Sequence, residues 1–161
     1  MASTLDLLKR LSGHEVEFVI VGGIAGVLHG SSLVTRDLDI CAPLTRDNLA
    51  RILVALSGLN ARFRVTSDQR PLSANPEDYL GYRNLYLLTD WGQLDILSEI
   101  MGLGNHEAVA RNTITVDLGG ISCRVLDLNA LILSKKSLNR PRDRLAVIEL
   151  EAIRERLRSS G

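Results

Sequence analysis

The sequence predicts an α+β fold, a mixed β-sheet flanked by helices and finished by helices at the C-terminal end. Three features predict it. A β-branched run, "VEFVIVGG", passes through paired glycines straight into the helix-like "IAGVLHG". Two pairs of strand-like segments are joined by the turn signals "DWG" and "GG". Near the C-terminal end, "LNALILSKKSL" and "RLAVIELEAIRERLRS" read as helices interrupted only at "NRPRD". No repeat, linker or low-complexity tract divides the 161 residues, so 1–161 reads as a single domain, near the usual size for one.

In chain order, "STLDLLKRLSG" opens with an N-cap at Ser3 or Thr4, carries leucines at helical spacing and stops at Gly13. "VEFVIVGG" suits a buried strand ending in a sharp turn, and "IAGVLHG" a short helix running to Gly30. The strand "DLDIC" follows, broken by Pro43. "TRDNLARILVALSG" is a helix capped at Thr45 and ended by Gly58, with Leu49, Ile52, Leu53 and Leu56 on one face. "ARFRV" alternates as a strand does. "YRNLYLLTD" and "GQLDILSEI" form a hairpin, the Gly-rich loop "MGLGN" leads to a short helix near "HEAVAR", and "NTITVDL" pairs with "ISCRVLDL". Pro141 suits the first position of the last helix.

Hydrophobic residues make up 45% and aromatics only 4%, so the core must be built of Leu, Ile, Val and Ala. Nineteen basic residues balance nineteen acidic ones, which excludes a global field drawing the chain to nucleic acid or membrane. No apolar run approaches the roughly 20 residues of a membrane span, and no secretory leader is read. The two cysteines, Cys41 and Cys123, sit in apolar strand-like runs and read as buried thiols in a reducing compartment. The expectation is a soluble cytoplasmic protein.

The stretch "VTRDLDIC" (residues 34–41) sets two carboxylates one residue apart in an apolar run. In a strand, Asp37 and Asp39 would share one face while Leu38 and Ile40 turn to the core. Adjacent carboxylates repel and are costly to desolvate without a positive partner. Just upstream, Gly22-Gly23 turns a strand into a helix, whose leading N–H groups suit anionic phosphates. Downstream, Asp95 in "QLDIL" is a third acid flanked by apolar residues. Three inward carboxylates beside a glycine turn fit a Mg²⁺ site that grips a triphosphate. Taken singly, each piece has a structural explanation: a tight turn, a solvated strand end, a half-exposed strand.

"VGGIAGVLHGSSLVTRDLDI" resembles the signature of the nucleotidyltransferase superfamily, G-G or G-S, then D-x-D, then a third Asp. The closer likeness is to the bacterial group of AbiEii-type toxin nucleotidyltransferases and related small proteins, through Gly22, Gly23, Ala25, His29, Gly30, Thr35, Asp37 and Asp39. "LDILSEIMGLGNHE" is similar to the family's third-acid strand. "NALILSKKSLNRPRDRLAVIELE" is similar to its closing segment through Lys135, Arg140, Pro141 and Asp143. The likeness runs from Phe18 to about Glu151. One departure is Leu33, where the family often carries arginine.

The resemblance implies a nucleotidyltransferase-like sheet and transfer of NMP from an NTP to an acceptor, with release of pyrophosphate. It implies Mg²⁺ or Mn²⁺ on Asp37, Asp39 and Asp95, with Asp95 also orienting the attacking hydroxyl or taking its proton. Gly22, Gly23, Ser31 and Ser32 would hold an NTP, ATP by default, and Lys135 would meet the leaving pyrophosphate. Acceptors within the superfamily include small molecules, proteins and tRNA ends. A toxin of this group implies a cognate antitoxin as partner. As a bare sequence feature, Lys135 to Arg144 is equally an exposed basic face. Asp143 reads equally as a helix cap or arginine partner and as a substrate contact, His29 as packing against the sheet, and His106 as part of a surface loop. Two other readings stay open: an inert nucleotide- or metal-binding module acting through a partner, and a glycosyltransferase using D-x-D. The second would need a longer nucleotide-binding region than the 36 residues before Asp37.

Overall fold

The computed structural model describes residues 3–161. Helix α1 (Thr4–Gly13) starts at a reciprocal cap: the Ser3 hydroxyl accepts from the Asp6 N–H, and the Asp6 carboxylate accepts from the Ser3 N–H at 2.7 Å. Its leucines Leu7, Leu8 and Leu11 are buried, and the helix packs against α3 (Arg46–Leu56), capped by Thr45 as the sequence predicts. Between them lie β1 (Val19–Val21), α2 (Gly22–Leu28) and β2 (Leu38–Cys41).

After α3 come β3 (Arg62–Phe63) and a 3₁₀ turn at Pro76–Tyr79, then the hairpin β4 (Asn84–Thr89) and β5 (Gly92–Leu97). A two-stranded ribbon, β6 (Glu99–Ile100) and β7 (Gly104–Asn105), leads into α4 (His106–Ala110). The chain closes with the hairpin β8 (Thr113–Leu118) and β9 (Ile121–Leu126), then α5 (Leu128–Leu138) and α6 (Pro141–Ser160).

Seven strands form one mixed sheet in the order β3-β4-β5-β2-β1-β9-β8. Here β2 is antiparallel to β1 but parallel to β5, and β1 is parallel to β9. The core is Leu, Ile, Val and Ala, as the scarcity of aromatics requires: Leu38, Ile40, Leu94 and Ile96 are at most 1% exposed. Each such side chain contributes about 1.5–3 kcal/mol by burial, and these four fix β2 and β5 in the register that positions the acids between them. Helices α5 and α6 pack on each other, and α5 also meets α2. Asn139, in the left-handed conformation with φ 52°, turns the chain between α5 and α6. Both cysteines are buried and free, and burial pushes the Cys41 thiol up to about 12.

Four details differ from the sequence reading. The strand expected across "DLDIC" begins only at Leu38, because β1 gives way to α2 at Gly22 and pairing with it ends at Asp39. "ARFRV" is a strand only at Arg62–Phe63: one more bond, from the Arg64 N–H to the Tyr86 carbonyl, reaches β4, and the chain then doubles back to set the Arg70 carbonyl against the Phe63 N–H. The "MGLGN" loop contributes to the β6–β7 ribbon. His106 opens α4 as a buried residue, its Nδ1 4.0 Å from the Glu17 carboxylate and its Nε2 without a hydrogen-bond partner. Among the described residues, no helix is long and apolar enough to cross a membrane.

Candidate functional site

The turn from β1 into α2 is built around what lies beside it. Gly22 has φ 67°, a region L side chains rarely adopt, and a Cβ there would overlap the Asp39 carboxylate. A Cβ on Gly23 would come within 2.9 Å of the Thr35 hydroxyl. The paired glycines thus let the α2 backbone close on Asp39 and Thr35. Val21 at the helix N-cap offers no side-chain hydrogen bond, so the first N–H groups of α2 have no side-chain cap. At the far end, His29 Nε2 donates to the Leu126 carbonyl at 2.8 Å and ties α2 to the end of β9.

Asp39 and Asp95 are register partners across the parallel pair β2–β5, which puts both side chains on one face of the sheet. Asp37 lies one residue before β2 and is exposed. Burial raises the Asp39 carboxyl to about 6, and the charges of Asp95 and Asp37 push the same way, against the attraction of Lys135 and Arg142. Asp95 is only 9% exposed.

Cations answer these acids. Arg64, just past β3, forks onto Asp95: its Nε donates to Oδ1 at 3.1 Å and its Nη2 to Oδ2 at 2.6 Å. Lys135, on α5, is mostly buried, and burial lowers its pKa while Asp143 and Asp39 hold it up. Asp143, only 1% exposed, accepts from the Arg140 N–H at 3.1 Å and Nε at 2.6 Å, and lies 3.7 Å from Lys135 Nζ. Asp143 therefore caps α6 and holds two cations in place.

The cleft has two lobes, of about 680 and 550 Å³. Gly22, Asp39, Asp95, Lys135, Arg140 and Arg142 line both and form the wall between them. The first continues along Asn84, Tyr86 and the 99–104 segment; the second along Gly23, Thr35, Asp37 and Arg64.

No protein-family model matches the chain, and no curated protein does. Among solved structures, the chain is similar to a Thermotoga maritima protein described as a "putative nucleotidyltransferase". Identity is 17%, the match covers 95% of this chain and 89% of that one, and the TM-score is 0.50. The fold is nucleotidyltransferase-like. At this identity the likeness speaks to architecture alone.

On this nucleotidyltransferase-like sheet, the residues singled out from the sequence fall into two groups. Asp37, Asp39, Asp95, Gly22, Gly23, Ser31 and Lys135 all line the cleft. Ser32 lines neither lobe: its N–H donates to Glu149 Oε1 at 2.5 Å, and the Ser31 hydroxyl donates to Oε2 at 3.4 Å. The Ser31 hydroxyl and the Ser32 backbone N–H thereby meet one carboxylate on α6, which fastens the 31–37 loop. The sequence reading missed Arg64, whose one signal is an arginine at an alternate position of "ARFRV", and left Arg140 and Arg142 on a solvated basic face. Leu33 also lines the cleft, where the basic residues are instead Arg64, Lys135, Arg140 and Arg142.

Among the described residues, no three His, Cys, Asp or Glu side chains are gathered into a ready cation cage. Mg²⁺ characteristically takes one or two carboxylates and completes its shell with water and substrate phosphates. Asp37 and Asp39, oxygen donors beside uncapped helix N–H groups, fit that demand.

Proposed function

We propose that the protein is a Mg²⁺- or Mn²⁺-dependent nucleotidyltransferase that moves NMP from an NTP, ATP first among those to test, to an acceptor hydroxyl or phosphate. The observation that carries this reading is the register pairing of Asp39 with Asp95, in one cleft with Asp37, the Gly22 turn and Lys135. Asp37 and Asp39 would hold the divalent ion, which when bound polarises the α-phosphate and neutralises triphosphate charge. The N–H groups of Gly22 and Gly23 would donate to phosphate oxygens, and Lys135 would supply a point charge to the departing pyrophosphate. Asp95, fixed by Arg64, would orient the acceptor. In the balanced reaction the acceptor oxygen bonds to the α-phosphorus, the α–β bridge breaks, pyrophosphate leaves, and the acceptor proton passes to solvent or a carboxylate.

The larger lobe, about 680 Å³, is of a size that encloses a small molecule. That favours a small acceptor, or the side chain of a protein substrate, over the body of a tRNA. A second reading has its own support: Arg64 hydrogen-bonds both oxygens of Asp95, as suits an inert nucleotide-binding module acting through a partner, a cognate antitoxin included. Incubation with α-labelled NTPs, Mg²⁺ and cell extract separates the two. Transfer of label to an acceptor, lost in Asp37→Asn, supports the enzyme; nucleotide binding without transfer supports the module.

A further inference from the structure

Asp95 is engaged more completely than the other two acids. Both of its oxygens accept hydrogen bonds from one guanidinium, at 3.1 and 2.6 Å. A planar fork on a carboxylate is the most directional ion pair a protein makes, and arginine stays charged at every working pH. The fork is also held from behind. The Arg64 N–H donates to the Tyr86 carbonyl at 3.1 Å, and its guanidinium lies 5.2 Å from the Tyr86 ring centroid. Tyr86 is itself the register partner of Asp95 across β4 and β5. Arg64, Tyr86 and Asp95 thus stand in a row across the sheet, and the guanidinium reaches Asp95 from a braced position.

We infer that Arg64 is the resident second cation of the cleft, holding Asp95 where a second divalent ion would otherwise be shared, so that the chain binds a single divalent ion through Asp37 and Asp39. This rests on the metal-dependent reading above and departs from the expectation that all three acids ligate metal. A divalent ion could take Asp95 only by displacing a braced fork and leaving the guanidinium without its partner in a half-buried place. Only two of the five guanidinium N–H groups are spent on Asp95. Arg64 lines the lobe that holds Gly23 and Asp37, so its remaining donors are available to an anionic substrate there. Arg64 is in this sense a positioning residue for Asp95, and it also supplies a fixed charge that needs no metal.

The test counts ions. Mn²⁺ alone is titrated into the full chain, with free ion read by electron paramagnetic resonance and heat by calorimetry. The wild type should bind one tight Mn²⁺ per chain. Arg64→Gln, neutral and of similar reach, should gain a second Mn²⁺ site through the freed Asp95 carboxylate. The double variant Arg64→Gln/Asp95→Asn, which carries no unpaired buried charge and so guards against misfolding of the single variant, should return to one. Two tight ions on the wild type, or one on a folded Arg64→Gln, overturn the inference and leave the proposed activity standing. No ion on any of the three overturns the metal-dependent reading itself.

Discussion

The space that a side chain on Gly22 would need is filled by the carboxylate of Asp39. The turn and the acid therefore specify each other, although they lie on different elements and 17 residues apart.

Replacing Gly22 by Ala should destabilise the fold by about 1–3 kcal/mol, the usual cost of a side chain forced into a left-handed backbone, with the overlap on Asp39 adding to it. Combining it with Asp39→Gly, which empties that space, should recover part of the loss. Urea midpoints of the two single variants and the double variant measure the coupling; strictly additive losses would separate the two residues.

Asp39 should make stability depend on pH. Its folded carboxyl, at about 6, lies above the ordinary aspartate value of 3.8, so the native state holds its proton where the unfolded chain has released it. Stability should therefore fall as pH rises from about 4 to about 6, by on the order of 2–3 kcal/mol. Asp39→Asn should flatten that fall. Above pH 6, Mg²⁺ should raise the melting temperature of the wild type and not of the variant; an equal response in both removes Asp39 as a ligand.

Asp143 and Lys135 should separate stability from binding. Asp143→Ala strands Arg140 and the mostly buried Lys135 together, and should cost about 3–5 kcal/mol, as breaking a buried ion pair does. Lys135→Met should hold its melting temperature much better, yet weaken ATP binding tenfold or more, since a hydrogen bond to a charged group is worth about 1.5–3 kcal/mol. Unchanged ATP affinity in Lys135→Met would place that ammonium outside the nucleotide site.

Asp37 and Asp95 should fail differently. Asp37 is exposed, so Asp37→Asn should shift stability by no more than about 0.5 kcal/mol while losing both ATP affinity and turnover. Asp95→Asn should keep most ATP affinity and lose turnover by about 10²–10⁴, the usual contribution of a positioned acid or base. Paired binding and product measurements distinguish them. Near-native turnover in Asp95→Asn would remove Asp95 from the reaction.

The features read correctly from the sequence are those where local pattern and tertiary environment agree. Leu38 and Ile40 flank Asp39 at the period of a strand, and both are buried as that period demands. The "DWG" and "GG" turns sit between paired strands as their chemistry requires. What escaped depends on partners distant in the chain. Asp37 belongs by pattern to the strand, but β1 ends opposite Asp39 and the pairing with β5 begins only at Leu38, so Asp37 lies outside the ladder on both sides. Ser31 and Ser32 have the right chemistry for phosphate, and nothing near them in the chain announces that the Ser31 hydroxyl and the Ser32 backbone N–H meet Glu149 on α6. Arg64 lies 31 residues before Asp95, and only the folded sheet brings the guanidinium to that carboxylate. His106 sits in a polar-looking stretch, and its burial follows from packing that no neighbouring residue announces.

If the proposed function holds, the charges lining the two lobes bear on how a nucleotide would arrive. Asp37, Asp39, Asp95, Glu99 and Asp143 face Arg64, Lys135, Arg140 and Arg142, and the whole chain carries no net formal charge. Such a cleft has almost no far field, so a polyanionic nucleotide gains little guidance during diffusion and meets attraction only within about a Debye length, roughly 8–10 Å in ordinary salt. Capture then depends on short-range contact and on prior neutralisation of the nucleotide by its own cation. Association rates measured by stopped flow should change little with ionic strength and markedly with the fraction of nucleotide already complexed to Mg²⁺.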